Sequence, residues 1–154
     1  MMPEDRHEPG VTAMSPHVVA STDGVHPDIL DRITRVLWAM GALGHPMRIC
    51  QGLRTVEAQQ ALYALGRAVP GARVTNADGL IHRSNHQAGP DGLGRAVDCC
   101  FLGPDPFGES RPWRAYGACV VAVGLVWGGD WRSFPDRPHA ELPALPPSKG
   151  PVQV

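Results

Sequence analysis

Two histidines and two aspartates in this chain occupy positions where they could do chemistry. His86 lies in the loop Ser84-Asn85-His86-Gln87-Ala88-Gly89, and Asp98 closes Gly94-Arg95-Ala96-Val97-Asp98 at the mouth of an apolar segment, Val97 to Leu102, that reads as a buried strand. His139 ends a second segment, Asp136-Arg137-Pro138-His139, which follows Trp127-Gly128-Gly129-Asp130-Trp131. Two neutral imidazoles and a carboxylate suit a hydrolytic zinc centre, which takes three N/O ligands and keeps a further position open for water. Such a centre also needs a base that is not a ligand, and Asp136, three residues before His139, is the candidate. Helical zincins bring base and ligands together with H-E-x-x-H on one helix; here Pro135 and Pro138 bracket Asp136 and would break a helix. The segment must be a tight turn entering a strand. Arg54, at a change from strand to helix, could reach across the end of a sheet; a surface salt bridge is the alternative.

The elements that must position these residues follow from pattern. Ile29, Ile33, Val36, Leu37 and Met40 recur at helical spacing behind Pro27, so a helix starts there and stops near Gly41 or Gly44. Met47 to Leu53 reads as a core strand. Thr55 caps a second helix with Glu57 in its first turn and Ala58, Ala61, Leu62 and Leu65 on one face, ending at Gly66. Residues 70–81 form a turn-rich loop. A third helix is expected from a Ser110 cap, with Trp113, Tyr116, Val120 and Val123 inward, to Gly124. Short strands are expected at Leu125 to Trp127 and Ala140 to Leu142. Trp127 is assigned to the core and Trp131 to a substrate wall.

Bulk properties bound the class. A chain of 154 residues fits one core, organised as an arm over residues 1–24, a catalytic domain over 25–143 and a Pro-rich tail over 144–154. Net charge is -1, with 14 Lys and Arg against 15 Asp and Glu and no basic run, so no nucleic-acid partner is expected. No apolar stretch is long enough for a membrane span and the N-terminal residues carry no apolar signal region; synthesis in the cytoplasm without a signal peptide is expected, as a monomer. Cys50, Cys99, Cys100 and Cys119 form no C-x-x-C pair and read as free thiols.

Several blocks then occur together in order: Gly52-Leu53-Arg54-Thr55-x-Glu57-x-Gln59, Leu62-Tyr63-Ala64-x-Gly66-Arg67, Val74-Thr75-Asn76-Ala77, Ser84-x-His86, Gly94-Arg95-Ala96-Val97-Asp98, Trp127-Gly128-Gly129-Asp130-Trp131 and Asp136-x-Pro138-His139-x-Glu141-Leu142. This series resembles the M15 family of zinc peptidases, on the side of the L-alanyl-D-glutamate peptidases used as phage endolysins and related to the D-Ala-D-Ala carboxypeptidases. The resemblance implies an α+β fold of the Hedgehog/DD-peptidase type, a small antiparallel sheet with packed helices. It implies Zn2+ held by His86, Asp98 and His139, with Asp136 as catalytic acid and base and Arg54 stabilising the polarised carbonyl. Ser84, Gln59 and Trp131 are candidate substrate contacts. The chain departs from the family pattern between His86 and Asp98, where about five extra residues around Gly89-Pro90-Asp91-Gly92-Leu93 look like an inserted turn, expected to alter substrate access.

The expected partner is the stem peptide of bacterial peptidoglycan, cut at the L-Ala-D-Glu bond by an enzyme acting on the cell wall. Cleavage at D-Ala-D-Ala is the alternative within enzymes, and an inactive wall-binding module the alternative outside them. Substrate is expected between the Gly-rich loop and the Trp127 to Trp131 turn. His82 reads as an exposed loop residue. Asp130 is a turn residue that could orient a ligand through its second ring nitrogen.

Overall fold

The computed structural model describes residues 22–144. The expected N-terminal arm and Pro-rich tail lie outside the described residues except for positions 22–24 and 144. The elements run α1 (Pro27–Ala42), β1 (Met47–Gln51), α2 (Val56–Ala64), β2 (Ala96–Phe101), α3 (Trp113–Ala122), β3 (Val126–Trp127), a 3-10 turn (Gly128–Asp130) and β4 (His139–Glu141). The strands form one antiparallel sheet in the order β1-β2-β4-β3. This is the α+β architecture expected from the sequence.

Side chains alternate across a strand, and that alternation divides the molecule. Val97, Cys99 and Phe101 of β2, Met47 of β1 and Ala140 of β4 point into the core. α1 delivers Ile29, Ile33, Val36 and Met40 to it, and α3 delivers Trp113, Tyr116 and Val120. Each such burial contributes roughly 1.5–3 kcal/mol. Phe101, Trp113 and Tyr116 meet edge to face, with ring centroids 4.8 and 6.0 Å apart. The intervening positions, Asp98 on β2 and His139 and Glu141 on β4, turn to the opposite face.

Caps explain two helix starts. Pro27 occupies the first turn of α1, whose first N–H groups include Asp28 N donating to His26 Nδ1 at 3.1 Å. Thr55 Oγ1 accepts from Ala58 N at 3.1 Å at the head of α2. Two expectations need correction. α3 begins at Trp113 behind Pro112 without a side-chain cap, so Ser110 does not cap it. α2 does not bury an alanine and leucine face: Ala58 and Ala61 are exposed, and its buried residue is Gln59. The reason lies in Arg54, whose guanidinium needs a buried acceptor and receives one from Gln59.

The extra residues after His86 fold back on themselves. Gly92 N donates to Gly89 O and Gly89 N to Leu93 O, both at 2.9 Å, closing a tight turn with Gly92 at φ +78°. Arg95 holds Asp91 with two bonds, of 3.2 and 2.8 Å. Gly94 is tied by backbone bonds of 2.8 Å to Gly24 and His26 at the entrance to α1.

Candidate metal centre and cleft

Asp98 and His139 are cross-strand partners in the β2–β4 register, so the sheet itself sets them side by side. His86 arrives from a loop, and its hold is correspondingly elaborate. Gln87 is buried beside it, accepting from Ser84 N at 2.9 Å and donating to Gly79 O at 3.0 Å. His86 N donates to Ser84 Oγ at 3.2 Å, and His86 O accepts from Arg54 N at 2.8 Å. The turn ahead of His139 is anchored from the core: Pro138 O accepts from Tyr116 OH and from Cys99 N, both at 3.0 Å. Gly128 lies against the same turn, so close that a Cβ there would stand 2.4 Å from Asp136 O.

One ligand atom from each of His86, Asp98 and His139 falls within 4.8 Å of the others. His86 Nε2 lies 3.2 Å from Asp98 Oδ1 and 3.2 Å from His139 Nδ1, and His139 Nδ1 lies 3.3 Å from Asp98 Oδ1. The second ring nitrogens decide what these atoms are. His86 Nδ1 donates to Gly52 O at 2.9 Å, and His139 Nε2 donates to Glu141 Oε2 at 2.7 Å. Neutral imidazoles held in these tautomers turn lone pairs toward each other and toward a carboxylate oxygen. Three acceptors converging without a donor fit a cation at their centre, and imidazole with carboxylate suits zinc.

The charges of the metal-free site agree. Burial opposes protonation of His139, yet Asp98 and Glu141 outweigh it and raise its pKa from 6.5 to about 9, so these surroundings favour positive charge at this point. Burial likewise works against ionised Asp98, but the imidazoles hold its carboxyl well below the usual range. Glu141 is lowered against its own burial by His139 and Asn85.

Asp136 stands apart from the three, its Oδ2 at 3.9 Å from His139 Nδ1. Burial and the neighbouring Asp98 raise its pKa, against the pull of His139, His86 and Arg54. Arg54 is buried. Its Nη1 donates to Gln59 Oε1 at 2.6 Å, its Nη2 donates to Gln51 Oε1 and lies 3.6 Å from Asp98 Oδ2, and its Nε has no partner among the described residues. Gln51 reaches this place because β1 is irregular between Ile49 and Gln51, which sets Gln51 rather than Cys50 opposite Asp98. Burial lowers the Arg54 pKa from its ordinary value.

These residues floor a cleft of about 600 Å³. Its walls are the segment carrying Thr75 and Asn76, the segment Arg83 to Asn85, and an aromatic side made by Phe107, Trp131 and Phe134. Ser84 and Trp131 thus line the cleft; the Trp131 ring also meets His139 at a tilt of 48°, with 4.8 Å between centroids. Gln59 does not. Fully buried, it holds Arg54 with its carbonyl and donates to Thr75 Oγ1 at 3.2 Å and Ala77 O at 2.8 Å, so it is a support for the cleft rather than a substrate contact. The inserted turn at 89–93 does not line the cleft, contrary to the expectation that it shapes access. His82 is exposed and bonded to Asp78, 3.4 Å away.

The role suggested for Asp130, orienting a ligand ring, belongs to Glu141. Strand alternation carries the signal for this: two positions after His139 in a strand is the same face. Gln51, Asn85, Phe107 and Phe134 had no such signal, because only the folded chain brings them to the cleft.

A family profile described as D-alanyl-D-alanine carboxypeptidase, of the M15 peptidases, matches residues 79–142, the stretch that carries all three candidate ligands and Asp136. Over that stretch the chain is similar to the M15 peptidases. The chain is 26% identical over 122 residues to the peptidoglycan L-alanyl-D-glutamate endopeptidase CwlK of Bacillus subtilis (strain 168), covering 77% of this chain and 73% of that protein. Its fold is shared with the L-Ala D-Glu endopeptidase ChiX of Serratia marcescens, at a TM-score of 0.51 and 22% identity over 81% of this chain and 90% of that one. It is shared too with the vancomycin-resistance D,D-pentapeptidase VanY solved with Zn(II), at a TM-score of 0.55 and 18% identity over 77% of this chain and 72% of that one. The stretch shared with these peptidases includes His86, Asp98 and His139, the set that could hold a metal ion.

Proposed function

We propose that this protein hydrolyses the stem peptides of bacterial peptidoglycan at the L-Ala-D-Glu bond. The observation that carries the reading is the convergence of three acceptor atoms, from His86, Asp98 and His139, on a cleft floor that also holds Asp136 and Arg54. The endopeptidases CwlK and ChiX support the choice of bond.

Zinc held by His86, Asp98 and His139 would supply Lewis acidity and a lowered pKa for water at that point. Burial and then Asp98 raise the pKa of Asp136, the direction that makes a carboxyl a better proton acceptor. Its Oδ2 accepts the proton of the attacking water and delivers it to the leaving amine. Arg54, held by Gln51 and Gln59, offers a fixed cation to the carbonyl oxygen as that oxygen gains charge. Glu141 and Gly52 O keep the two imidazoles in their ligating tautomers. The aromatic side of the cleft excludes water from one flank of the peptide.

A second reading, cleavage at D-Ala-D-Ala, is favoured by the description of the matching family profile. Digestion of purified peptidoglycan, with the new termini identified by mass spectrometry, separates the two. A free D-Glu amine is the expected product. Released D-Ala with no new D-Glu amine would replace the first reading with the second, and no cleavage by zinc-loaded protein would remove both.

A further inference from the structure

The charges that line the cleft are unevenly matched. Three carboxylates, Asp98, Asp136 and Glu141, face one buried guanidinium, Arg54, and a divalent cation would balance them. Arg83 is then the surplus charge. It is exposed at the cleft wall, three residues before His86, and pairs with no carboxylate among the described residues. Its one bond among the described residues, from Nη2 to Ala88 O at 2.9 Å, holds the guanidinium at the rim and leaves its other donors without a partner among them. The adjoining wall, with Asn85 and Asn76, is polar, whereas the aromatic side carries no charge. A planar guanidinium with free donors pairs with a carboxylate through two parallel bonds.

We propose that Arg83 is a specificity residue that binds a free carboxylate on the substrate residue supplying the leaving amine. The inference rests on the peptidoglycan reading above but not on which of its two bonds is cut. In a stem peptide, D-Glu is linked onward through its γ-carboxyl, so its α-carboxylate stands on the carbon next to the scissile nitrogen. A terminal D-Ala carries its carboxylate in the same place. Either substrate therefore presents an anion one carbon from the scissile nitrogen, at a cleft whose one unbalanced group is cationic. Walls whose D-Glu carboxylate is amidated would be poorer substrates.

The test uses zinc-loaded full-length protein and two peptide pairs, one spanning L-Ala-D-Glu with the α-carboxylate free or converted to the carboxamide, the other ending in D-Ala-D-Ala with its terminus free or amidated. Wild type should prefer the free carboxylate of the pair it cuts by roughly ten- to hundred-fold in kcat/KM, the span of one charged hydrogen-bond pair, and mostly through KM. Arg83→Gln should bring that ratio close to one, and Arg83→Lys should restore part of it. Zinc content and melting temperature serve as structural controls. A ratio as large in Arg83→Gln as in wild type, or a wild type indifferent to amidation, overturns the assignment of Arg83 while leaving the peptidase reading in place. Failure of wild type to cut either pair overturns that reading, and the proposal with it.

Discussion

The two faces of one small sheet behave as different materials. On the core face Val97, Cys99, Phe101 and Ala140 are buried against α1 and α3, and their contribution is area removed from water. On the other face Asp98, His139 and Glu141 come from the same two strands, interleaved with those residues, yet each is held by directional bonds. The first face tolerates a change of shape at a cost in stability. The second depends on lone pairs pointing at one place, so a change of one atom there is expected to cost metal binding. Tyr116 joins the two, a core residue whose hydroxyl anchors the turn that presents His139.

The sharpest way to break this division is His139→Ala, which removes one of three convergent ligands. Zinc measured by elemental analysis should fall from close to one per chain to near zero, with peptidase activity gone. Retention of full zinc would sink the ligand assignment. Asp136→Asn should be nearly as severe for turnover, roughly 10²–10⁴-fold, because it removes only the proposed proton carrier. Its zinc content should match wild type, and an active variant would take Asp136 out of its role.

Smaller effects sharpen the contrast. Glu141→Ala leaves every ligand in place but frees the His139 ring, so zinc affinity in a chelator competition should weaken by roughly 10–100-fold. An unchanged affinity would mean that the strand alone orients the ring. Tyr116→Phe should show the reverse pattern, about 1 kcal/mol lost in chemical denaturation with zinc stoichiometry intact, since Pro138 O keeps its bond from Cys99 N.

A further contrast lies in pH. In metal-free protein His139 is raised from 6.5 to about 9, so its protonation stabilises the fold below pH 6.5, and that stability is lost as pH rises to about 9. The melting temperature of metal-free protein should fall across that interval, whereas zinc in the proton's place should make the loaded protein flatter. Parallel curves would contradict the idea that proton and metal compete for one centre.

Much of this was legible in residue order. The helix of Ile29, Ile33, Val36 and Met40 follows from its period, the Thr55 cap from local chemistry, and the turn at Asp136 to His139 from prolines that forbid a helix. His86, Asp98 and His139 were legible as a set because zinc chemistry restricts residue types and because the blocks around them occur in a fixed order. Gln59 was misread, since a glutamine in a helix beside the cleft looks like a substrate contact until the buried guanidinium it serves is visible. The inserted turn was misread as well. Its length is plain in the sequence, but its direction is set by bonds to Gly24 and His26, some seventy residues earlier in the chain.

What the sequence by itself determined is therefore local and chemical: which segments are helix or strand, and which side chains are of the types that can ligate a metal. What only the tertiary structure decided is which way those groups face. The β2–β4 register sets Asp98 against His139, the irregularity in β1 brings Gln51 to Arg54, and the carbonyl of Gly52 selects the tautomer of His86. Each is a contact between residues far apart in sequence, and the directions of hydrogen bonds across such contacts exist only once the chain has closed.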